Sequence, residues 1–125
     1  MSDSILTSVK TKLGLMEGYD HFDEEIIMDI NSAFLILNQL GVGTESAFKI
    51  TGYSETWTDF LADERIEMVK SYIPLRVRLL FDPPSGSYLL ESIKDQISEF
   101  EFRMMVEAER KHLPEADMSS IYVRV

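Results

Sequence analysis

The chain has 125 residues, 45% of them apolar, no cysteine, and 22 acidic against 12 basic residues for a formal charge of -10. Such a length supports one hydrophobic core and not two, and the missing cysteines exclude a disulfide scaffold or a thiolate metal site. The negative charge repels phosphate, which argues against a protein that holds nucleic acid by affinity, though not against one that DNA passes without sticking.

No run of eighteen apolar residues interrupts the charged pattern, and the first residues lack the apolar stretch of a signal peptide. A soluble chain made in the cytoplasm, with no membrane partner, is the expectation. Residues 2 to 13 place Ile5, Leu6, Val9 and Leu13 on one face behind Ser2 or Asp3 as N-cap. Gly14 followed by Leu15 suits a left-handed stop with its apolar companion. So short an amphipathic helix must pack on the body or on another subunit. Glu17 to Phe22 is a polar link. Asp23 then opens a helix through Ile26, Ile27, Ile30, Phe34 and Leu37, with Glu24 and Glu25 at the positive end of its dipole. It stops at Leu40, where Gly41-Val42 repeats the first helix's ending.

Residues 41 to 55 carry three glycines and no helical stripe; Phe48 alternating with Ile50 predicts a short strand. A connection this long is more often functional or disordered than a simple link. Thr56-x-x-Asp59 reads as a capping box for one helical turn, with Trp57 as a core anchor. From Glu64 the pattern becomes strongly helical: Ile66, Val69, Ile73, Val77 and Leu80 form one stripe, and Met68, Tyr72, Leu75 and Leu79 a second beside it. Pro74 lies inside this arm and predicts a bend. The segment Phe81-Asp82-Pro83-Pro84 cannot continue the helix, which makes Asp82 the stop and Ser85 or Ser87 the cap of the next arm. That arm repeats the period through Leu90, Ile93, Ile97, Phe100 and Met104. The two arms make an antiparallel helical hairpin, so the predicted fold is all-α, a small helical bundle built on that hairpin. Residues 1–113 form the helical domain, and 114–125 an extended tail. In that tail Ile121, Val123 and Val125 alternate with Tyr122 and Arg124, a strand-like edge that another chain would cover.

Chemistry for catalysis is sparse: two histidines, no cysteine, no glycine-rich phosphate loop. Glu109-x-x-His112 has the spacing of a di-iron bundle ligand pair, but such sites need the motif twice and two further glutamates. A solvated last helical turn explains it as well. Asp20, Asp23, Glu24 and Glu25 lack the glycine and spacing of a calcium loop, and His21 beside Asp20 reads as a surface residue of the link. Phe100, Phe102, Met104 and Met105 form an apolar cluster broader than one stripe, either core or a candidate subunit interface. Arg76 and Arg78, in an apolar arm, either make interchain ion pairs or extend to solvent.

Several segments, in order and spacing, carry a resemblance: Phe22-Asp23 before Ile26-Ile27-Met28, Asn31-Ser32-Ala33, Leu37-Asn38-Gln39-Leu40-Gly41-Val42-Gly43, Glu55-Thr56-Trp57-x-Asp59-Phe60-Leu61, Val69-Lys70-x-Tyr72-Ile73, and Leu79-Leu80-Phe81-Asp82-Pro83-Pro84. Together they resemble the head-tail connector family of long-tailed phages and prophages, also called head-completion or adaptor proteins. The resemblance covers roughly residues 5 to 110, with Phe81, Asp82, Pro83 and Pro84 among its most specific parts. It implies a virion structural protein at the head-tail interface, neither an enzyme nor a cofactor binder. Such a protein forms a homo-oligomeric ring, commonly of twelve, below the portal protein. It joins the portal to the next head-completion or tail-joining protein and continues the DNA channel without binding DNA specifically. The family's C-terminal segment often reaches the portal; here the matching residues are Ile121, Tyr122, Val123, Arg124 and Val125. Two other readings compete. An acidic DNA-mimic inhibitor of a nucleic-acid enzyme would compete with DNA for a basic protein, and a metal-dependent bundle enzyme would lose its metal on replacement of Glu109 or His112.

Overall fold

The computed structural model describes residues 3–16, 18–43 and 47–112, and within them the chain is an all-α bundle of five helices. These are α1 (Ile5–Lys12), α2 (Asp23–Gln39), α3 (Trp57–Phe60), α4 (Ile66–Phe81) and α5 (Ser87–His112). The tail expected over 114–125 lies outside the described residues.

Local chemistry explains most of the boundaries. Ser4, one or two residues later than Ser2 or Asp3, caps α1: its hydroxyl accepts from the Thr7 N–H. The first two helices end alike. Gly14 and Gly41 adopt left-handed backbone at φ +85° and +88°. The N–H groups of Leu15 and Val42 reach back to the carbonyls of Lys10 and Leu37, at 3.0 and 2.9 Å. This six-to-one closure satisfies carbonyls that the helix itself leaves open. At α3 the capping box is complete, with Thr56 and Asp59 each bonded to the other's backbone N–H. Asp82 ends α4 ahead of the proline pair, and Pro74 lies inside one uninterrupted helix.

The core is assembled from the stripes. Ile26, Ile30, Ala33, Phe34 and Leu37 of α2 pack on Ile66, Val69, Tyr72, Ile73 and Val77 of α4, the main helix pair of the fold. Ile5, Leu6 and Val9 bury α1 against both, so this short helix is satisfied by its own chain. Trp57 is fully buried and donates its indole N–H to the Ser8 hydroxyl at 3.2 Å, and Phe34, Phe48 and Phe60 form a ring cluster with centroids 4.7 to 5.3 Å apart.

α5 returns along α4. Tyr72 and Arg76 of α4 both bond Glu101, Glu107 lies near enough to Arg65 for its charge to act there, and Ala108 closes on Gly41 at the end of α2. The antiparallel hairpin is therefore present, with Ile93, Ile97, Met104 and Ala108 facing inward.

The strand expected at Phe48 to Ile50 does not form. Residues 47–50 form no regular element, and what lies beside them is a side chain: Asn31 of α2 donates to the Ile50 carbonyl at 3.0 Å and accepts its N–H at 2.8 Å. One amide group thus supplies both bonds that a neighbouring strand would have made. Among the described residues the only β pairing is a single antiparallel bridge between Ser4 and Thr56.

Candidate interaction surfaces

Two polar nodes hold the bundle's elements at fixed positions. In the first, Lys10 of α1 is buried. Its ammonium donates to the Tyr19 carbonyl at 2.5 Å, to Asp23 Oδ1 at 2.7 Å and to the Tyr53 hydroxyl at 2.7 Å, while Tyr53 donates to the other oxygen of Asp23. Burial works against both charges. The mutual hydrogen bonds outweigh it, so Lys10 is raised and Asp23 lowered from their ordinary values. One ammonium thereby ties α1, the 18–22 link, the start of α2 and the 51–55 loop. Asp23, which the sequence offers only as a helix start, is its counter-ion.

In the second node the buried Tyr72 hydroxyl donates to Glu101 Oε2 at 2.7 Å, and Arg76 donates to the same oxygen at 2.9 Å and to the Tyr72 oxygen at 3.2 Å. Burial, then the bond to Glu101, pushes the Tyr72 phenol well above its usual range. Arg76 is thus paired within its own chain, where it locks α4 to α5. Asp29 is raised by burial and by the nearby Glu25, and its Oδ2 has no hydrogen-bond partner among the described residues.

The hinge residues divide. Phe81 stacks edge-on against Phe22 at 5.2 Å, tying the turn to the start of α2, while Asp82 and Pro83 are exposed and Pro84 is half-buried. The cluster proposed as a subunit interface divides too. Met104, 2% exposed, belongs to the molecule's own core, and Phe100 is half-buried against it. Phe102, 62% exposed, and Met105, at the edge of exposure, point outward. Other large apolar side chains face solvent: Tyr88 is 88% exposed and Met28 69%, with Met16, Leu80 and Leu89 also open. The candidate portal-binding residues 121–125 lie outside the described residues.

Two surfaces stand out by composition. Between α1, α4 and α5 runs a groove of about 310 Å³ lined by Lys12, Leu13, Lys70, Ser71, Pro74, Leu75, Arg78, Gln96 and Phe100. It carries three cations and no acid on a strongly acidic chain. On the outward face of α5, Tyr88, Glu91, Asp95, Glu99 and Phe102 recur every three or four residues, forming one stripe of acids with an aromatic at each end. The sequence shows this stripe to anyone who looks for the face opposite the core. The groove is less visible there, since its cations come from two helices more than fifty residues apart.

No group of three or more histidine and carboxylate side chains with metal-holding geometry occurs among the described residues, and no described helix is long and apolar enough to cross a membrane. Neither a curated protein nor a solved structure matches the chain. A family model described as "Phage connector protein" matches residues 5–111, which covers every helix except the last residue of α5. Connectors are virion structural proteins that contact other head and tail proteins. By that match, which takes in most of the chain, this protein belongs to the phage connector protein family.

Proposed function

We propose that the chain is the subunit of a homo-oligomeric ring, commonly of twelve in such connectors, that seats below the portal and joins the filled head to the next head-completion or tail-joining protein. The observation that carries this reading is the outward display of large apolar side chains by a body whose core is already closed. Tyr88, Phe102, Met28 and Met16 gain nothing from the fold itself and are available to neighbours. A cyclic ring needs two different faces per subunit, because its contacts run head to tail, and this chain offers several unlike ones. At -10 per copy, a ring whose acids face its lumen would let a polyanion slide without sticking. Residues 121–125 are the segment proposed to reach the portal.

The test is native mass measurement of the chain mixed with its portal protein. The expected species is a portal ring carrying a full ring of this chain; a portal that remains bare overturns the reading. Truncation after Leu113 should weaken attachment while far-UV circular dichroism stays helical. Unchanged attachment would remove the tail from the proposal and leave the ring.

A further inference from the structure

We propose that the cationic groove between α1, α4 and α5 receives the acidic outer stripe of α5 from a second copy of this chain. The inference rests on the ring reading above and names the two faces that close it.

Charge is the first argument. Two copies at -10 each repel, so a stable contact between them has to pass through a patch of opposite local sign. The groove is such a patch. Lys12 and Arg78 make no ion pair among the described residues, and Lys70 has only a long 3.8 Å contact to the exposed Glu67. On the stripe, Asp95 is likewise without a cation among the described residues, while Glu91 and Glu99 hold exposed, one-turn pairs with Lys94 and Arg103. Pairs of that kind are weak and solvent-screened, and they exchange readily for a better-buried partner.

Spacing is the second argument. Lys70 and Arg78 stand eight residues apart on α4, and Glu91 and Glu99 stand eight residues apart on α5. Both separations are about 12 Å along a helix axis. A helix laid in the groove thus meets a cation at each end of its acid run, with Asp95 between them and Lys12 on the opposite wall. Apolar surface is the third. Pro74, Leu75 and Phe100 floor the groove, and Tyr88 and Phe102 flank the acids of the stripe, the kind of aromatic anchor that dominates contact energy once water is excluded. Because groove and stripe are different patches, the contact is head to tail and repeats from copy to copy.

Charge reversal tests the pairing. In Lys70→Glu/Arg78→Glu and in Glu91→Lys/Glu99→Lys, like charges face each other, and the fraction of chain assembled on the portal should fall about tenfold or more. A chain carrying all four changes restores opposite signs and should recover to within about threefold of the parent. Glu91 and Glu99 are exposed and Lys70 and Arg78 partly so, and circular dichroism checks that each variant folds. A second measurement does not depend on those variants. The chain has no cysteine, so Arg78→Cys/Asp95→Cys treated with a bismaleimide should give a ladder above dimer on the portal. Parent rings together with reversal variants that assemble normally and a missing ladder overturn this inference and leave the ring reading standing; a parent that never assembles overturns both. Loss in the groove variant without recovery in the four-fold variant, and without a ladder, assigns the groove to another acidic protein and overturns the second-copy occupant.

Discussion

Replacing Lys10 by Met should destabilise the chain by about 3 kcal/mol, the usual range for breaking a buried charge pair while leaving one partner behind. The geometry sets that figure. Lys10 exposes 7% of its side chain and Asp23 17%, so the removed ammonium leaves a mostly buried carboxylate with Tyr53 as its remaining side-chain donor. Methionine keeps the apolar stem and its packing, which isolates the loss of the charge from the loss of volume. With an unfolding entropy of about 2.1 cal/mol/K per residue, a loss of this size lowers the melting temperature of a 125-residue domain by roughly 11 °C. Asp23→Asn alone should cost about as much, since it strands the ammonium instead. The double variant should cost little more than either single one, giving a coupling of about 2 kcal/mol or more. Thermal and urea melts at pH 7, followed by helical circular dichroism, read all four corners of the cycle. Strictly additive losses would refute the reasoning, because they would mean that Lys10 and Asp23 stabilise the fold through unrelated partners. The pH dependence has a fixed sign. Asp23 is lowered in the fold, so its contribution is whole above the ordinary aspartate range and disappears as pH falls through the depressed value. Lys10 is raised, so its contribution is whole below its ordinary value of 10.5 and is lost as pH rises past the folded one.

Asn31→Ala should cost about 2 kcal/mol and raise proteolysis within residues 47–52, because both backbone groups of the buried Ile50 lose their partner at once; an unchanged melting point would show that water replaces the amide. Gly43→Ala should cost about 2 kcal/mol or more, since the backbone there is left-handed at φ +96° and a methyl group would lie 2.6 Å from the Phe60 ring. Gly52→Ala, where nothing lies within 4 Å of the added carbon, should stay within about 0.5 kcal/mol of the parent. In a spectrophotometric titration of the native chain, one of the five tyrosines should remain protonated well after the ordinary phenol range, and Tyr72→Phe should remove that late step. Ionisation of all five within the ordinary range would contradict the buried bond to Glu101.

What the sequence makes legible here is what depends on near neighbours. Leu13-Gly14-Leu15 and Leu40-Gly41-Val42 announce two helix ends because the closing bonds span five residues, and the α4 and α5 stripes declare their inward faces by period alone. Features made by distant residues are hidden from local pattern. Phe48 and Ile50 alternate as strand residues do, but their neighbour is the side chain of Asn31, nineteen positions away. Arg76 looks unpaired until α5 brings Glu101 back beside it. Lys10 passes as a surface lysine by type. One signal was available: it stands four residues after Leu6 and next to Val9, inside the apolar sector of α1, with an acid-rich stretch shortly downstream. Among the interface candidates, Met104 falls in the core because it shares the register of Ile93 and Ile97, whereas Phe102 lies on the opposite side of the same helix.

The length of α5 has a mechanical consequence. Its 26 residues make a strut of about 39 Å, tied to α4 by the Glu101 node midway along and packed beside Gly41, past the end of α2, at Ala108 near its far end. A push delivered near Tyr88 is carried to the other extremity as a displacement, not absorbed as slack. If neighbouring molecules hold both tips, this rod is the direct path by which a displacement at one reaches the other.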